Sequence, residues 1–279
     1  YAPLTLYATE NCYGTAAFFN TMKAADFSFD TGSAPDGEIR KLRFTFYDAS
    51  GSIIGSEDMT SGTSNGGVTG YWNNSNYRML YAGIYPANYK GRGNVFNPAT
   101  AYYTVQGFDE AGNSCGVKYT INIITDDCKG YEKIRLAWLN SFGVWDYYTF
   151  TKKTTRSIKS KRIRYSQVKG RWNEEMYTTS GFSGGSKVYT NNATESIEIN
   201  TDYISEADSI WLQELFVSPD VYIVHPYSTD FAELGHTNKY VEPVVVTSGD
   251  YTRKTVANDL LIQYEINIEK SKRQNVIKA

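Results

Sequence analysis

Alternating apolar and polar residues, interrupted by turn-forming residues, indicate that the first half of the chain is a series of short β-strands. In the clearest example Leu42, Phe44 and Phe46 alternate with polar side chains, which predicts one buried and one solvated face. The predicted strands are Pro3–Ala8, Ala16–Phe19, Glu38–Asp48, Ser52–Ser56, Arg78–Ile84, Tyr102–Phe108 and Cys115–Ile124. Residues 1–128 are therefore predicted to form a β-sandwich, with residues 51–76 largely an exposed loop or extended hairpin.

The stretch Tyr131–Thr151 is predicted to be a β-hairpin around which the second half is organised. Two alternating runs are joined by a short turn at Asn140–Gly143, and both faces of the runs are largely apolar. We therefore expect both faces to be covered by other parts of the protein. Each buried aromatic side chain removes about 150–250 Å² from water, so this aromatic-rich hairpin is the predicted centre of a core.

The remainder of the second half combines strands with one predicted helix, Ser205–Val217. Ser205 supplies an N-cap with an acid three residues later, and Pro219 ends the helix. The predicted apolar stripe consists of Ala207, Ile210, Trp211, Leu212, Leu215 and Phe216. The predicted strands are Val188–Tyr189, Ser196–Ile199, Val221–Val224, Tyr240–Thr247 and Asp259–Ile268, followed by a charged end at Lys270–Lys278. Residues 131–279 thus predict a β-sandwich or split barrel with one packed α-helix.

A domain boundary is predicted at Asp126–Gly130, which is charged and ends in glycine. The balance of charge shifts there from acidic to slightly basic. At 279 residues the chain is long enough for two domains, which we place at residues 1–128 and 131–279.

Composition supports a β-rich protein and excludes several functions. The chain has 24 tyrosines and an aromatic content of 15%, which favours strands. A net charge of −2 gives no general attraction to nucleic acid or membranes, and no apolar run is long enough to span a bilayer. The chain begins at Tyr1 with neither Met nor a signal-peptide pattern, which suggests a processed or trimmed start.

Three cysteines lie in the first half: Cys12, Cys115 and Cys128. They form no C-x-x-C pair and the chain has only two histidines, so a zinc site is not expected. Free buried thiols are the preferred interpretation. A Cys115–Cys128 disulfide is the alternative if the protein matures outside the cytosol.

A concentrated basic run, residues 152–171, follows the hairpin. Apolar residues such as Ile158, Ile163 and Tyr165 are interleaved with the cations, so we expect one side to anchor to the core while Arg162 and Arg164 point outward. Too few aromatics are present to stack bases, which argues against nucleic acid. We predict an edge strand protected by charge, or a subunit contact. The predicted interface residues are Arg156, Lys159, Lys161, Arg162 and Arg164.

Candidate catalytic groups are weak, and no enzyme activity, cofactor or metal is predicted. His225 and His236 flank Asp230 and Glu233, but they lack the H-E-x-x-H spacing of a helical zinc site. Adjacent acids, Asp109–Glu110 and Glu174–Glu175, suggest a glycosidase pair only if their spatial separation is correct, which a sequence does not give.

An aromatic group follows the Gly-rich stretch and consists of Tyr71, Trp72, Tyr77, Tyr81, Tyr85 and Tyr89. Such a group can form a platform that stacks on carbohydrate. The preferred interpretation is that it forms the core and lining of a small β-domain.

Two resemblances to known families add to these patterns. Residues 101–124 resemble the last two strands of immunoglobulin or fibronectin type III sandwiches, although the paired cysteine and tryptophan signature is missing. Ile134–Phe150, the basic strand after it and Trp211–Ile223 together resemble virion structural proteins of tailed bacteriophages, over residues 131–279. Those proteins sit in tails or baseplates, and the resemblance transfers no catalytic residue.

The second resemblance implies a non-enzymatic structural subunit of a bacteriophage virion, located in the tail or baseplate. Its implied partners are copies of itself and other virion tail proteins, with no membrane and no nucleic acid. The alternative is an extracellular β-sandwich module that binds carbohydrate, such as a host-surface glycan, or a receptor. Assembly into rings or a symmetric particle distinguishes the first function from the second.

Overall fold

The structure is a computed structural model in which most of the chain is β-strand. It describes residues 3–19, 39, 41–60, 79–90, 96–109, 111–125, 130–170, 175–176, 181, 184–226, 241–248, 262–271 and 274–277. The elements of the first half are β1 (Thr5–Ala8), β2 (Thr15–Phe19), β3 (Lys41–Tyr47), β4 (Ile53–Thr60), β5 (Met79–Gly83), α1 (Pro86–Lys90), β6 (Tyr102–Phe108) and β7 (Ser114–Ile123). The predictions that the chain is mainly β and that its first half is a β-sandwich agree with this architecture.

The first half contains a five-stranded sheet in the order β1-β7-β6-β3-β4 and a two-stranded sheet of β2 and β5. Strand β1 is parallel to β7, and the other neighbours are antiparallel. Burial alternates along β3 as predicted, with Leu42, Phe44 and Phe46 inside. The two sheets share one core, in which Phe18 of β2 packs edge-on against Tyr119 of β7 at 5.2 Å between ring centroids.

Helix α1 was not predicted, because one turn is too short to show a helical period. Its first residue is Pro86, whose fixed φ suits the first position of a helix. Tyr85 and Tyr89 at this turn are buried in the core. For these two aromatics the core interpretation is confirmed. It is wrong for Tyr81, which is 47% exposed on β5, and Tyr71, Trp72 and Tyr77 lie outside the described residues.

The second half contains one large sheet and one helix among its described residues. Its elements are β8 (Ile134–Leu139), β9 (Trp145–Phe150), β10 (Thr154–Gln167), β11 (Gly185–Asn200), α2 (Glu206–Val217), β12 (Val221–Val224), β13 (Val241–Val246), β14 (Glu265–Lys270) and β15 (Gln274–Ile277). The sheet order is β10-β11-β14-β13-β12-β8-β9, and β15 pairs with β11 beside this path. In the described part of this half, the strands form an open sheet with β10 and β9 at its two edges.

Strands β8 and β9 form the predicted hairpin. The side chain of Asn140 accepts hydrogen bonds from the backbone N–H groups of Phe142 and Val144, and Gly143 adopts φ +75°, which closes the turn. One face of β8 presents Leu136 and Trp138 to the core under α2. The opposite face is also buried, so the expectation that both sides are covered is confirmed.

That opposite face meets the first half of the chain through Arg135. The Arg135 side chain is only 4% exposed. Its Nε donates to the carbonyl oxygen of Tyr13 at 2.9 Å, and its Nη1 donates to the Thr149 hydroxyl at 2.8 Å. The guanidinium also lies 4.2 Å from the centroid of the Tyr85 ring and 5.0 Å from that of Tyr147. The two cores therefore share an ordered boundary built around one buried cation.

Helix α2 begins and docks as predicted. The Ser205 hydroxyl accepts a hydrogen bond from the Asp208 N–H, which caps the helix. Trp211 is buried, with its ring centroid 5.0 Å from that of Trp138. The predicted stripe is partly wrong, because Ala207 and Ile210 are exposed. At 100° per residue Ile210 lies away from the Trp211–Leu215 side, which faces the sheet, whereas Ala207 lies near that side but is exposed in the first turn.

Three other predictions need correction or stay open. Residues 188–189 and 196–199 belong to one 16-residue strand, β11, whose polar middle hid its extended conformation. Part of the predicted charged end forms strand β15. Residues 126–129 of the predicted boundary lie outside the described residues, so the division into two domains stays a prediction.

The cysteine prediction is confirmed where the structure describes it. Cys12 and Cys115 are free and buried, and burial raises the pKa of the Cys115 thiol to about 11. Both thiols are therefore protonated at neutral pH. Cys128 lies outside the described residues.

Candidate assembly surface

The two longest strands, β10 and β11, form an antiparallel pair whose outer part is exposed on both faces. We call residues 157–167 and 185–194 of this pair the arm. Eleven residues of extended chain span about 36 Å at 3.3 Å per residue. Strand β10 is an edge strand of the sheet, as predicted, and β15 pairs with β11 at Thr190–Ala193.

The pairing register fixes which side chains share a face of the arm. Ile158, Arg162 and Arg164 lie on one face, and Lys159, Lys161, Ile163 and Tyr165 lie on the other. The expectation that the apolar residues anchor one side to the core is wrong. Ile158 is 69% exposed, Ile163 53% and Tyr165 40%. The buried part of β11 begins at Ser196, and no described layer covers either face beyond it.

The arm carries only positive charge. Its cations are Lys159, Lys161, Arg162, Arg164 and Lys187, and it contains no acid. Among the described residues, Lys159, Lys161, Arg162 and Arg164 form no ion pair. The predicted interface residues thus remain exposed, but on two faces rather than one. Positive charge along an edge strand discourages unselective pairing with other strands.

A β-bulge changes the direction of the arm near its outer end. Ile163 pairs with Thr190 and Arg164 with Val188, which leaves Tyr189 as an extra residue in β11. A bulge of this kind bends the strand and increases its local twist. Tyr189 and Val188 are both exposed, so the outer end combines apolar side chains with cations.

Arg156, the remaining predicted interface residue, lies at the base of the arm and is already paired. It contacts Glu132 and Glu195, each at 2.5 Å. Glu195 also contacts Lys270 at 3.1 Å, and Lys270 contacts Glu242 at 3.4 Å. This row of alternating charges crosses β10, β11, β14 and β13, so it ties the base of the arm to the sheet. Arg156 therefore holds the arm in place rather than presenting a free charge.

Two acids of this row, Glu132 and Glu195, are held ionised, because their pKa values are lowered. The hydrogen bond from Arg156 lowers the pKa of Glu132. Partial burial raises the pKa of Glu195, but hydrogen bonds from Arg156 and Lys270 outweigh that effect and leave its pKa below the ordinary value. None of these acids or bases was singled out from sequence as a partner, because they come from distant parts of the chain.

Where the structure describes the candidate catalytic residues, their side chains make structural contacts or are exposed to solvent. His225 lies 3.3 Å from Glu242, at the end of the charged row, whereas Asp230, Glu233 and His236 lie outside the described residues. Asp109 accepts hydrogen bonds from the backbone and side chain of Asn113, which closes the β6–β7 turn. Glu175 is exposed, and its neighbour Glu174 is not described.

A cleft of about 290 Å³ lies between β1, β9 and the start of α2. Its rim carries the exposed rings of Tyr7 and Tyr203 beside the acids Asp202 and Asp208. Aromatic rings beside carboxylates can hold a small polar ligand by stacking and hydrogen bonding. Sequence reasoning missed this cleft, because its walls come from both halves of the chain.

Searches of the described residues for two other features were negative. No group of three or more His, Cys, Asp or Glu side chains is placed to hold a metal ion there. In the same part of the chain, no helix has the length and apolar character needed to cross a membrane.

Comparison with known proteins gives weak structural neighbours only. No protein-family model and no curated protein matches the chain. One solved chain, from the tail of an empty gene transfer agent particle with C6 symmetry, aligns with 15% identity and a TM-score of 0.25, covering 52% of this chain and 96% of its own. A second, from the virion of a native gene transfer agent particle, aligns with 14% identity and a TM-score of 0.24, covering 52% and 95%.

Proposed function

We propose that this chain is a non-enzymatic structural subunit of a bacteriophage-like virion, located in the tail or baseplate, and that it acts through contacts between subunits. The exposed, uniformly basic arm carries the proposal. Within one molecule the arm buries little, yet it presents apolar side chains such as Ile158 and Ile163 beside the exposed cations Arg162 and Arg164. Exposed apolar groups ringed by charge are typical of protein interaction surfaces.

The construction of the arm supports an assembly role over nucleic-acid binding. The cations are divided between two faces of a strand pair, with Tyr165 and Tyr189 as the exposed aromatic rings. A groove that binds single-stranded nucleic acid needs successive aromatic rings for base stacking along one basic surface. The row of ion pairs at the base fixes the direction of the arm, as a contact with another rigid subunit requires.

Removing the arm tests this proposal directly. A variant in which a two-residue Asn-Gly turn replaces residues 159–194 joins the paired residues Ile158 and Glu195, keeps the core strand segments and should stay folded. Virions produced with that variant should lack complete tails. In wild-type particles, quantitative mass spectrometry should find many copies of the chain per particle. Labelled antibody seen by electron microscopy should mark the tail. Absence of the chain from purified particles contradicts the proposal.

The second candidate function is glycan or receptor binding, and the cleft beside Tyr7 and Tyr203 favours it. Its test is a glycan array followed by titration calorimetry, with Tyr203→Ala as the variant and Tyr131→Ala as an exposed control. Saturable binding that Tyr203→Ala abolishes supports this function. Wild-type protein that binds no glycan, while particles contain the chain in stoichiometric amounts, supports the structural role alone.

A further inference from the structure

We propose that the arm of one copy docks on the outward face of α2 in a second copy of the same chain. This inference rests on the proposed assembly function and specifies the surface to which the arm binds. The outward face consists of Glu206, Ile210, Gln213 and Val217, which recur at helical spacing and are all exposed.

The outward face of α2 has the composition of a docking surface. Ile210 is 41% exposed and Val217 76%, although the opposite side of the same helix is packed on the sheet. The helix contains three acids and no basic residue. Glu206 lies on the outward face, whereas Asp208 and Glu214 lie off it and accept hydrogen bonds from the hydroxyls of Ser205 and Ser141. An amphipathic helix covered on one side should present polar residues on the other. Two exposed aliphatic side chains beside Glu206 and Gln213 depart from that pattern.

The arm is complementary to this face in both charge and polarity. It also places exposed aliphatic side chains, Ile158 and Val188, among charged groups, but its charges are all positive. On its first face Arg162 lies four residues after Ile158 and Arg164 two residues further, about 13 and 20 Å from Ile158 at 3.3 Å per residue. An arginine fork can hold the Glu206 carboxylate of α2 in paired hydrogen bonds while the aliphatic groups of the two surfaces meet beside it.

The two surfaces do not meet within one molecule. Helix α2 covers the buried part of the sheet, where Ile197 and Ile199 share its core, whereas the arm begins beyond Ser196. Ile158 on the arm and Val217 on the helix both stay exposed in the folded chain. The contact must therefore be made between molecules.

Charge distribution favours a second copy as the partner. The chain has a net charge of −2, although the arm contributes five cations and no acid. The rest of the molecule is therefore acidic, and copies attract one another when the arm of one approaches the body of the next. Because arm and helix are different surfaces, the contact is heterologous, and repetition of a heterologous contact generates rings or filaments.

The test uses two variants of the full chain with opposite charge changes. The arm variant carries Arg162→Glu and Arg164→Glu, and the helix variant carries Glu206→Lys and Gln213→Lys. Alone, each should associate at least about 100-fold more weakly than wild type, because it sets like charges against each other. When mixed, every contact pairs opposite charges, so association should return. Sedimentation velocity measures all four samples.

A matched control separates the effect of the arm from that of net charge alone. Lys118→Glu with Lys153→Glu changes the net charge as much as the arm variant does, on exposed cations outside the arm, and should associate like wild type. Association unchanged in either test variant, or a mixture that stays monomeric, overturns the arm–helix contact while leaving the assembly function standing. Wild-type chain that stays monomeric at every concentration overturns the contact, and chain missing from purified particles overturns the assembly function.

Discussion

The indole Nε1 of Trp211 donates a 2.7 Å hydrogen bond to the buried carboxylate of Asp146. Trp211 lies on α2 and Asp146 on β9, so this bond joins the helix to the central hairpin. The side-chain amide of Asn140 donates to the same carboxylate oxygen at 3.1 Å. The turn, the strand and the helix are thus held by one buried acceptor, beside the packed rings of Trp138 and Trp211.

Removal of the Trp211 side chain should therefore destabilise the protein strongly. Trp211→Ala is expected to lower the free energy of unfolding by about 3–5 kcal/mol, because it leaves a large cavity in the core. Trp211→Phe keeps much of the packing but leaves Asp146 without its main donor, and should cost about 1–3 kcal/mol. Urea denaturation followed by circular dichroism measures both. Equal stability of Trp211→Ala and wild type would show that α2 is not docked on the sheet.

Replacement of Asp146 by asparagine should change how stability depends on pH. Burial raises the pKa of Asp146 above its ordinary value of 3.8, with hydrogen bonds from Trp211 and Asn140 opposing the shift. The folded state therefore binds this proton more tightly than the unfolded state. Its contribution to stability is present below pH 3.8 and is lost as pH rises through the folded-state pKa. Asp146→Asn can still accept the Trp211 bond without a buried charge, so it should be at least as stable as wild type at pH 7.

Asp58 provides the opposite case as a control. The Arg43 side chain lowers the pKa of Asp58 to about 2 through hydrogen bonds on the exposed face of β3 and β4. Its contribution is present above the ordinary carboxyl pKa and is lost as pH falls through about 2. Thermal melts between pH 2 and 7 should therefore show differences of opposite slope for Asp146→Asn and Asp58→Asn. Parallel profiles would contradict the assignment for Asp146.

Sequence patterns predicted the elements that are buried on one side, because such strands and helices leave a period. Alternation located β3, and the Ser205 cap located α2 to within one residue. Sequence patterns recognised β10 as a charged edge strand, but they did not reveal the full length of its pairing partner, β11. Residues 190–195 of β11 are polar on both faces and so show no alternation.

Two of the buried charged residues, Arg135 and Asp146, also escaped prediction. Arg135 and Asp146 are single charges within aromatic strands, and that is the signal that could have revealed them. Their partners come from distant residues, such as Tyr13 and Trp211, which no local pattern connects to them. Likewise, periodicity grouped Ile210 with the core stripe, although only the tertiary structure decides which side of a helix faces the sheet.

Arg135 should couple the unfolding of the two cores. Arg135→Ala removes two hydrogen bonds and the contacts with the Tyr85 and Tyr147 rings, and leaves the Tyr13 carbonyl without its donor. We expect a loss of about 3–5 kcal/mol, as when one partner of a buried polar network is deleted. We expect the wild type to unfold in a single thermal transition and Arg135→Ala in two, as calorimetry can show. Arg43→Ala, on an exposed ion pair, is the control and should cost no more than about 1 kcal/mol.

Residues 131–279 should fold as a separate unit. The core of this half contains Trp138, Trp211, Ile197 and Ile266, and none of its described buried members comes from the first half. A fragment of these residues should keep the near-ultraviolet circular dichroism of the Trp138–Trp211 pair, and Trp211→Ala in the same fragment should remove it. Without the first half, Ala137 and Tyr147 become exposed, so the fragment should also bind a hydrophobic dye. A fragment that is soluble only when residues 1–128 are supplied would show that the two halves fold as one unit.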